Sequence, residues 1–300
     1  MSDPNQPPLA KKIAKELKIH DEVRVDDFYW LKDRENPEVI DYLNNENVYY
    51  NQDTKHTKKF QEDLFEEMKS RIKEDDSSVP YKYNGYWYIT KYQKGKDYPI
   101  YTRKKESLEA LEEVLFDCNL MAKDHSYFRL VGLNVSPNNQ FISYGVDTTG
   151  RRQYKLLIKD LKSNKVLKEQ IWNTTGGSTW ANDNKTLFYT LKDEMTLRSE
   201  AIYKHHLNTH QDKDELVYEE KDDTFGVGVS KTKSQKYLVI SSYSTLTSEH
   251  KILNANTPDG VFKVFQPRTR GLEYSISHFE NSFYIVSNID NAQNFKLSVT

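Results

Sequence analysis

The hydrophobic pattern of this chain changes period once. Over the first 78 residues the apolar positions fall at helical spacing. Asn36-Pro37-Glu38 reads as a helix start, with Asn as the N-cap and Pro at the first helical position. Ile40, Leu43 and Asn47 then share one face. Phe60, Leu64, Phe65, Met68 and Ile72 form a second helical stripe, with Glu62, Asp63, Glu66 and Glu67 on its other side. The spacing predicts an amphipathic helical arm over residues 1–78 that packs on something larger.

From Val79 the pattern shortens to strands. Tyr81-Lys82-Tyr83-Asn84-Gly85-Tyr86-Trp87-Tyr88 places an Asn-Gly turn between aromatic runs, a strong hairpin signal. The device of a polar turn followed by an apolar strand then recurs. It is seen at Ser136–Tyr144, Ala181–Tyr189, Lys233–Ile240 and His278–Val286. Phe141, Leu187, Tyr237 and Phe283 mark the repeat, in steps of 46, 50 and 46 residues. A period of that size with several strands per period is the signature of propeller blades. One period resolves into Leu130–Val135, Phe141–Val146, Tyr154–Asp160 and Lys165–Ile171. Blades are expected to begin near Val79, Leu130, Thr179, Gly226 and Tyr274, the last lacking a strand. No strand-like segment in the arm is expected to complete the ring. The fold class predicted is mainly β: a helical arm, then an incomplete β-propeller over 79–300 with about four and a half blades. The chain is expected to be part of a longer protein.

Composition narrows the function classes. Lys and Arg total 43 against 45 Asp and Glu, a net charge of −2, which gives no global attraction to nucleic acid or an acidic membrane. The 21 tyrosines and 13 phenylalanines favour half-buried pleated surfaces. A single cysteine, Cys118, excludes an internal disulfide and fits a reducing compartment. No run approaches the ~20 apolar residues that cross a bilayer, and Met1–Lys15 lacks the apolar core of a signal peptide. The expectation is a cytoplasmic protein with no membrane or nucleic-acid partner.

Candidate chemistry is sparse. Gly176-Gly177-Ser178-Thr179-Trp180 is the nearest run to a nucleophile elbow, but it lacks the second glycine and precedes a strand. His205, His206 and His210 cluster without a Cys or carboxylate at metal-ligand spacing, so no metal is expected. Cys118 lacks an activating neighbour and reads as a buried thiol. Glu219-Glu220-Lys221-Asp222-Asp223 reads as a solvated acidic loop. Gly226-Val227-Gly228 has no phosphate-loop continuation, so no nucleotide cofactor is expected. Arg151 and Arg152 enter a strand after the turn Thr148-Thr149-Gly150, and read as a surface pair or as donors to an interdomain ion pair.

Several segments in order carry a resemblance. Arg24–Asp33 and Pro37–Asn47 resemble the N-terminal signature of the prolyl oligopeptidase family of serine peptidases. Gly150–Tyr154, Trp180–Asp183, Leu216–Thr224, Thr247–Glu249 and Glu273–Ser275 resemble its oligopeptidase B (protease II) branch. The resemblance implies a propeller of the seven-bladed type and an arm that packs on a C-terminal α/β-hydrolase domain. It also implies that the Ser, His and Asp triad lies in that domain, outside these residues, so no catalytic residue is assigned here. Short peptides cut after Arg or Lys are the implied substrates, with the propeller limiting their size. Arg151 and Arg152 are expected at the gate or domain interface on their own chemistry, because a guanidinium suits paired carboxylates across a domain boundary. A stand-alone binding propeller and a Pro-specific peptidase are the alternatives.

Overall fold

The structure, a computed structural model, describes residues 6–300. It divides into two compact units, Met1–Glu74 and Asp75–Thr300. The first unit opens with a hairpin, β1 (Lys15–Ile19) and β2 (Glu22–Asp26). This corrects the expectation that the arm holds no strand. Its turn residues His20 and Asp21 have φ of 51° and 62°, the primed geometry that matches strand twist. Among the described residues the two strands form a two-stranded sheet of their own. Asn36 Oδ1 accepts from Glu38 N at 2.9 Å and starts α1 (Pro37–Asp53). A 3-10 turn at Thr54–Thr57 leads into α2 (Lys58–Ser70), on which Phe60, Phe65 and Met68 are exposed. Trp30 Nε1 donates to the Lys11 carbonyl at 2.9 Å, and Lys11 Nζ reaches Glu38 at 3.0 Å, tying the leading segment to the start of α1.

The second unit is antiparallel throughout. Blade 1 comprises β3 (Tyr81–Tyr83), β4 (Tyr86–Lys91), β5 (Ile100–Lys105) and β6 (Glu112–Asp117), followed by the short α3 (Cys118–Met121). Next come β7 (Arg129–Val135), β8 (Phe141–Asp147), β9 (Tyr154–Asp160), β10 (Lys165–Trp180), β11 (Thr186–Lys192), β12 (Ser199–His206) and β13 (Glu215–Glu219). These seven form one continuous sheet because β10 is shared. Its first half pairs with β9 as the outer strand of blade 2, and its second half pairs with β11 as the inner strand of blade 3. Blade 4 is β14 (Gly226–Lys231), β15 (Tyr237–Tyr243), β16 (Ser248–Asn254) and β17 (Lys263–Val264). The last sheet has three strands, β18 (Tyr274–Phe279), β19 (Ser282–Ser287) and β20 (Lys296–Val299).

The crossing of β10 from one blade to the next needs small residues. Gly176 turns with φ of 87° against β7 and β8. A Cβ on Gly145 would lie 2.3 Å from Gly176 Cα, and one on Gly132 would lie 2.2 Å from Gly176 O. Only bare backbones pack that closely.

Each blade buries a face against its neighbour. Tyr88, Phe116, Leu130 and Tyr144 join blades 1 and 2. Leu156, Ile171 and Tyr189, with Ile158, Trp180 and Leu187, join blades 2 and 3. Phe188, Ile202, Val227 and Leu238 join blades 3 and 4. Aromatic edges among Tyr237, His278, Phe265 and Phe283 join blade 4 to the last sheet. On the far side of that sheet Phe279, Val286, Leu297 and Val299 are exposed.

The first hairpin tip of each blade also clasps the next tip. Asn84 Nδ2 donates to Pro137 O at 2.6 Å, and Asn138 N to Asn184 Oδ1 at 2.7 Å. Asn182 Nδ2 donates to Gln235 O at 3.0 Å, and Lys236 Nζ to Glu280 O at 2.7 Å. The polar turn residues that mark the sequence repeat are therefore the ones that stitch blades together.

Candidate functional site

The strands alternate in direction, so the two ends of the propeller differ. One end carries the hairpin tips. The other carries the loops between second and third strands and the connections from blade to blade. Arg151 and Arg152 lie at this second end, on the loop between β8 and β9. Asp147 builds that loop: its carboxylate accepts from Thr149 N and Thr149 Oγ1 at 2.8 Å, Gly150 N at 3.1 Å and Arg152 N at 2.8 Å. Burial pushes the Asp147 carboxyl up, but these hydrogen bonds outweigh it and hold it below the usual carboxylate range. Lys192 Nζ donates to the Arg152 carbonyl at 2.8 Å, and Gln153 Nε2 to the Glu194 carbonyl at 3.3 Å, so the loop leans on the matching loop of blade 3. Both arginines are exposed. Among the described residues neither guanidinium has a carboxylate partner.

The acidic run at Glu219–Asp223 lies at the same end and departs from the solvated loop expected of it. Glu220 is only 4% exposed. Arg268 Nη2 and Nη1 donate to its two oxygens at 2.6 and 3.3 Å, and Tyr218 OH donates at 2.8 Å. The Arg268 guanidinium lies 3.8 Å over the Phe225 ring, and its backbone N–H donates to Glu249 Oε2 at 3.0 Å. Burial alone would raise the Glu220 pKa. Arg268, Tyr218 and Ser242 overcome it and bring the carboxyl down to about 2. This clamp joins the connection after blade 3 to the connection after blade 4. Beside it is a cavity of 580 Å³ lined by Phe225, Leu246, Thr247, Arg268 and Arg270. Sequence reasoning missed the clamp because its partners stand 48 positions apart and nothing in the run itself singles out Glu220.

A second cavity, of 560 Å³, runs along the inner strands of blades 1 to 4. Asn134, Ser178, Thr179, Trp180 and Lys231 line it. Tyr83 OH donates to Gln235 Oε1 at 3.2 Å, a link from blade 1 to blade 4 at the hairpin-tip end.

The other candidates separate. Ser178 Oγ, on the crossing strand β10, donates to Ser143 Oγ of β8 at 2.8 Å. His205 is fully buried, sharing a 2.7 Å hydrogen bond with Asp214, which also accepts from Tyr189 OH at 2.9 Å. His206 meets Thr186 Oγ1 at 3.1 Å, and His210 meets Asp212 at 3.1 Å in solvent. The three rings thus go to three different partners. Cys118 is 1% exposed, and burial pushes its thiol up to about 12. No helix among the described residues is long and apolar enough to cross a membrane.

Comparison with known proteins agrees with this architecture. The chain is 38% identical over 308 residues to dipeptidyl aminopeptidase BI of Pseudoxanthomonas mexicana, covering 97% of this chain and 42% of that protein. It is 33% identical over 297 residues to protease 2 of Moraxella lacunata, covering 97% and 43%. Oligopeptidase B from Leishmania major superposes with a TM-score of 0.91 at 29% identity, over 99% of this chain and 44% of that one. Oligopeptidase B from Trypanosoma brucei, in a closed form with covalently bound antipain, gives 0.88 at 27%, over 98% and 44%. The chain therefore spans less than half the length of these relatives. Residues 7–300 match the family description "Prolyl oligopeptidase, N-terminal beta-propeller domain". With that match over nearly its whole length, the chain belongs to the prolyl oligopeptidase family and corresponds to its N-terminal propeller domain.

Proposed function

We propose that this chain is the arm and propeller gate of a cytoplasmic serine oligopeptidase of the oligopeptidase B kind, which cuts short peptides after Arg or Lys. The observation that carries the reading is the superposition of nearly the whole chain on two oligopeptidase B structures, alongside 33% identity to a protease 2. In this reading serine attack, the histidine base and the oxyanion hole belong to an α/β-hydrolase domain on the C-terminal side. The propeller limits access to that domain by size, and residues 1–78 pack on it through exposed side chains such as Phe60, Phe65 and Met68. Arg151 and Arg152 suit its carboxylates, because a guanidinium pairs well across a domain boundary and their loop is held rigid by Asp147. Further blades cover the exposed apolar face of the last sheet.

The test is hydrolysis by the longer gene product of paired reporter peptides ending in Arg, Lys or Pro. Turnover of the Arg and Lys reporters that stops with a serine-directed inhibitor is expected, and the 300-residue chain alone is expected to turn over none. Preference for the Pro reporter, or activity of the short chain, overturns the reading. A second reading, release of dipeptides from a free N-terminus, is favoured by the 38% identity to a dipeptidyl aminopeptidase. N-acetylation of the substrate separates the two, since it blocks only the aminopeptidase.

A further inference from the structure

The cavity along the inner strands holds a single charge. Its lining is hydroxyl, amide, aromatic and aliphatic, and Lys231 is the one residue among its described walls that is charged at neutral pH. Lys231 ends β14. Val227 and Val229, on the same face of that strand, pack into the core with blade 3, and Lys231 follows where that core stops. Its ammonium has three donors. One goes to Asn182 Oδ1 at 2.9 Å, a neutral acceptor. Among the described residues no carboxylate pairs with it. Asp183, on the neighbouring tip, favours its charged form from a distance, while burial pulls the pKa down to about 8. The ammonium is thus partly desolvated, mostly charged at pH 7, and still has donors to offer.

The shape of the cavity gives this charge a direction. Gly228, Val229, Ser230 and Lys231 of β14 line it in sequence. Lys231 stands at the hairpin-tip end, beside the Tyr83–Gln235 link. The opposite end, near Thr175 and Tyr243, faces the loops that hold Arg152 and Glu220. Val227–Lys231 of β14 line the cavity and span about 17 Å at ~3.3 Å per residue, the length of roughly five residues of extended peptide. A chain end that enters from the loop side meets hydroxyls first and the ammonium last.

We propose that this cavity is a carboxylate-binding site, in which Lys231 receives the C-terminal carboxylate of a peptide lying along the inner strands. Such a contact is a charge-assisted hydrogen bond to a cation already partly removed from water. It rests on the peptidase reading only in that peptides are what the cavity would meet.

The experiment is calorimetric titration of the 300-residue chain at pH 7 with two probes. One is N-acetyl-trialanine with a free C-terminal carboxylate, and the other is the same peptide as its C-terminal amide. The carboxylate is expected to bind at least tenfold tighter. Lys231→Met should bring its affinity down to that of the amide, and Lys231→Arg should retain most of it. A measurement on the unaltered chain guards against a variant that fails to fold: with lysine labelled at Cε, the Lys231 resonance should titrate at higher pH with the carboxylate peptide and not with the amide. Equal affinity of the two probes, no binding of either, or an unmoved Lys231 titration overturns the proposal. Those outcomes leave the peptidase reading intact, because hydrolysis is measured on the longer gene product. A gene product without peptidase activity overturns that reading whatever Lys231 binds.

Discussion

Glu220→Gln tests the clamp between Glu220 and Arg268 at the connections after blades 3 and 4. It keeps the shape of the side chain and removes the charge that Arg268 grips from two sides. The carboxyl falls from its ordinary 4.5 to about 2 in the folded chain. At ~1.36 kcal/mol per pKa unit that difference is worth about 3 kcal/mol. Arg268 is 26% exposed, and solvent screening there reduces the figure to roughly 2 kcal/mol. The sign follows from the depressed pKa. The stabilisation is complete above pH 4.5 and is lost as pH falls toward 2. Urea unfolding, followed by tryptophan fluorescence with the buried Trp180 among the reporters, gives stability at pH 7, 5.5, 4 and 3. The gap between the parent chain and Glu220→Gln should hold steady from pH 7 to about 5 and then shrink. Carboxylates common to both chains cancel in that gap. A variant within ~0.5 kcal/mol of the parent at pH 7, or a gap that persists undiminished at pH 3, would refute the reasoning. Arg268→Leu should cost more than Glu220→Gln at pH 7, since it leaves a buried carboxylate unpaired.

Gly145→Ala should destabilise by ~1–3 kcal/mol or more in the same unfolding assay, because its Cβ meets backbone at 2.3 Å. Gly177→Ala, with nothing within 4 Å, should be close to neutral. Between pH 8 and 10.5 the parent should gain up to about 3 kcal/mol relative to Lys231→Met, because a lysine whose pKa is lowered by burial opposes folding while protonated and stops doing so once neutral. A constant difference across that range would contradict the burial of Lys231. The Cys118 thiol should resist a disulfide labelling reagent at pH 8 in the folded chain and react once urea unfolds it.

The blades were readable because their repeat is written in turn chemistry. Asn139, Asn184 and Gln235 all sit at positive φ in the polar turns that mark the period, and the apolar strands follow at once. The strand bounds read from Leu130 to Asp160 agree with β7, β8 and β9 to within a residue at each end. The β1–β2 hairpin was not readable, because His20-Asp21 takes a turn that Asn-Gly usually signals and Lys15–Ile19 carries charges on both of its faces. The union of blades 2 and 3 through β10 was also hidden: Gly176 and Gly177 look like a break between strands, while the backbone runs on with a bulge. The Glu220–Arg268 clamp and the Tyr83–Gln235 link depend on which loops meet in space, and no local pattern encodes that. Arg151 and Arg152 could be singled out as surface cations, but the buried Asp147 that shapes their loop looks ordinary in the sequence.

The shared strand has a mechanical consequence. Blades 1 and 2, blades 3 and 4, and blade 4 and the last sheet are joined by packed side chains, tip clasps and loops. Those seams can yield by sliding one sheet face over another. The seam between blades 2 and 3 cannot yield that way without tearing the β10 ladder on one side. Hydrogen exchange should therefore find β7 to β13 opening as one cooperative unit, later than the sheets on either side. Relative movement of these blades has to hinge at the other seams, so this seven-stranded sheet is the stiff part of the propeller segment.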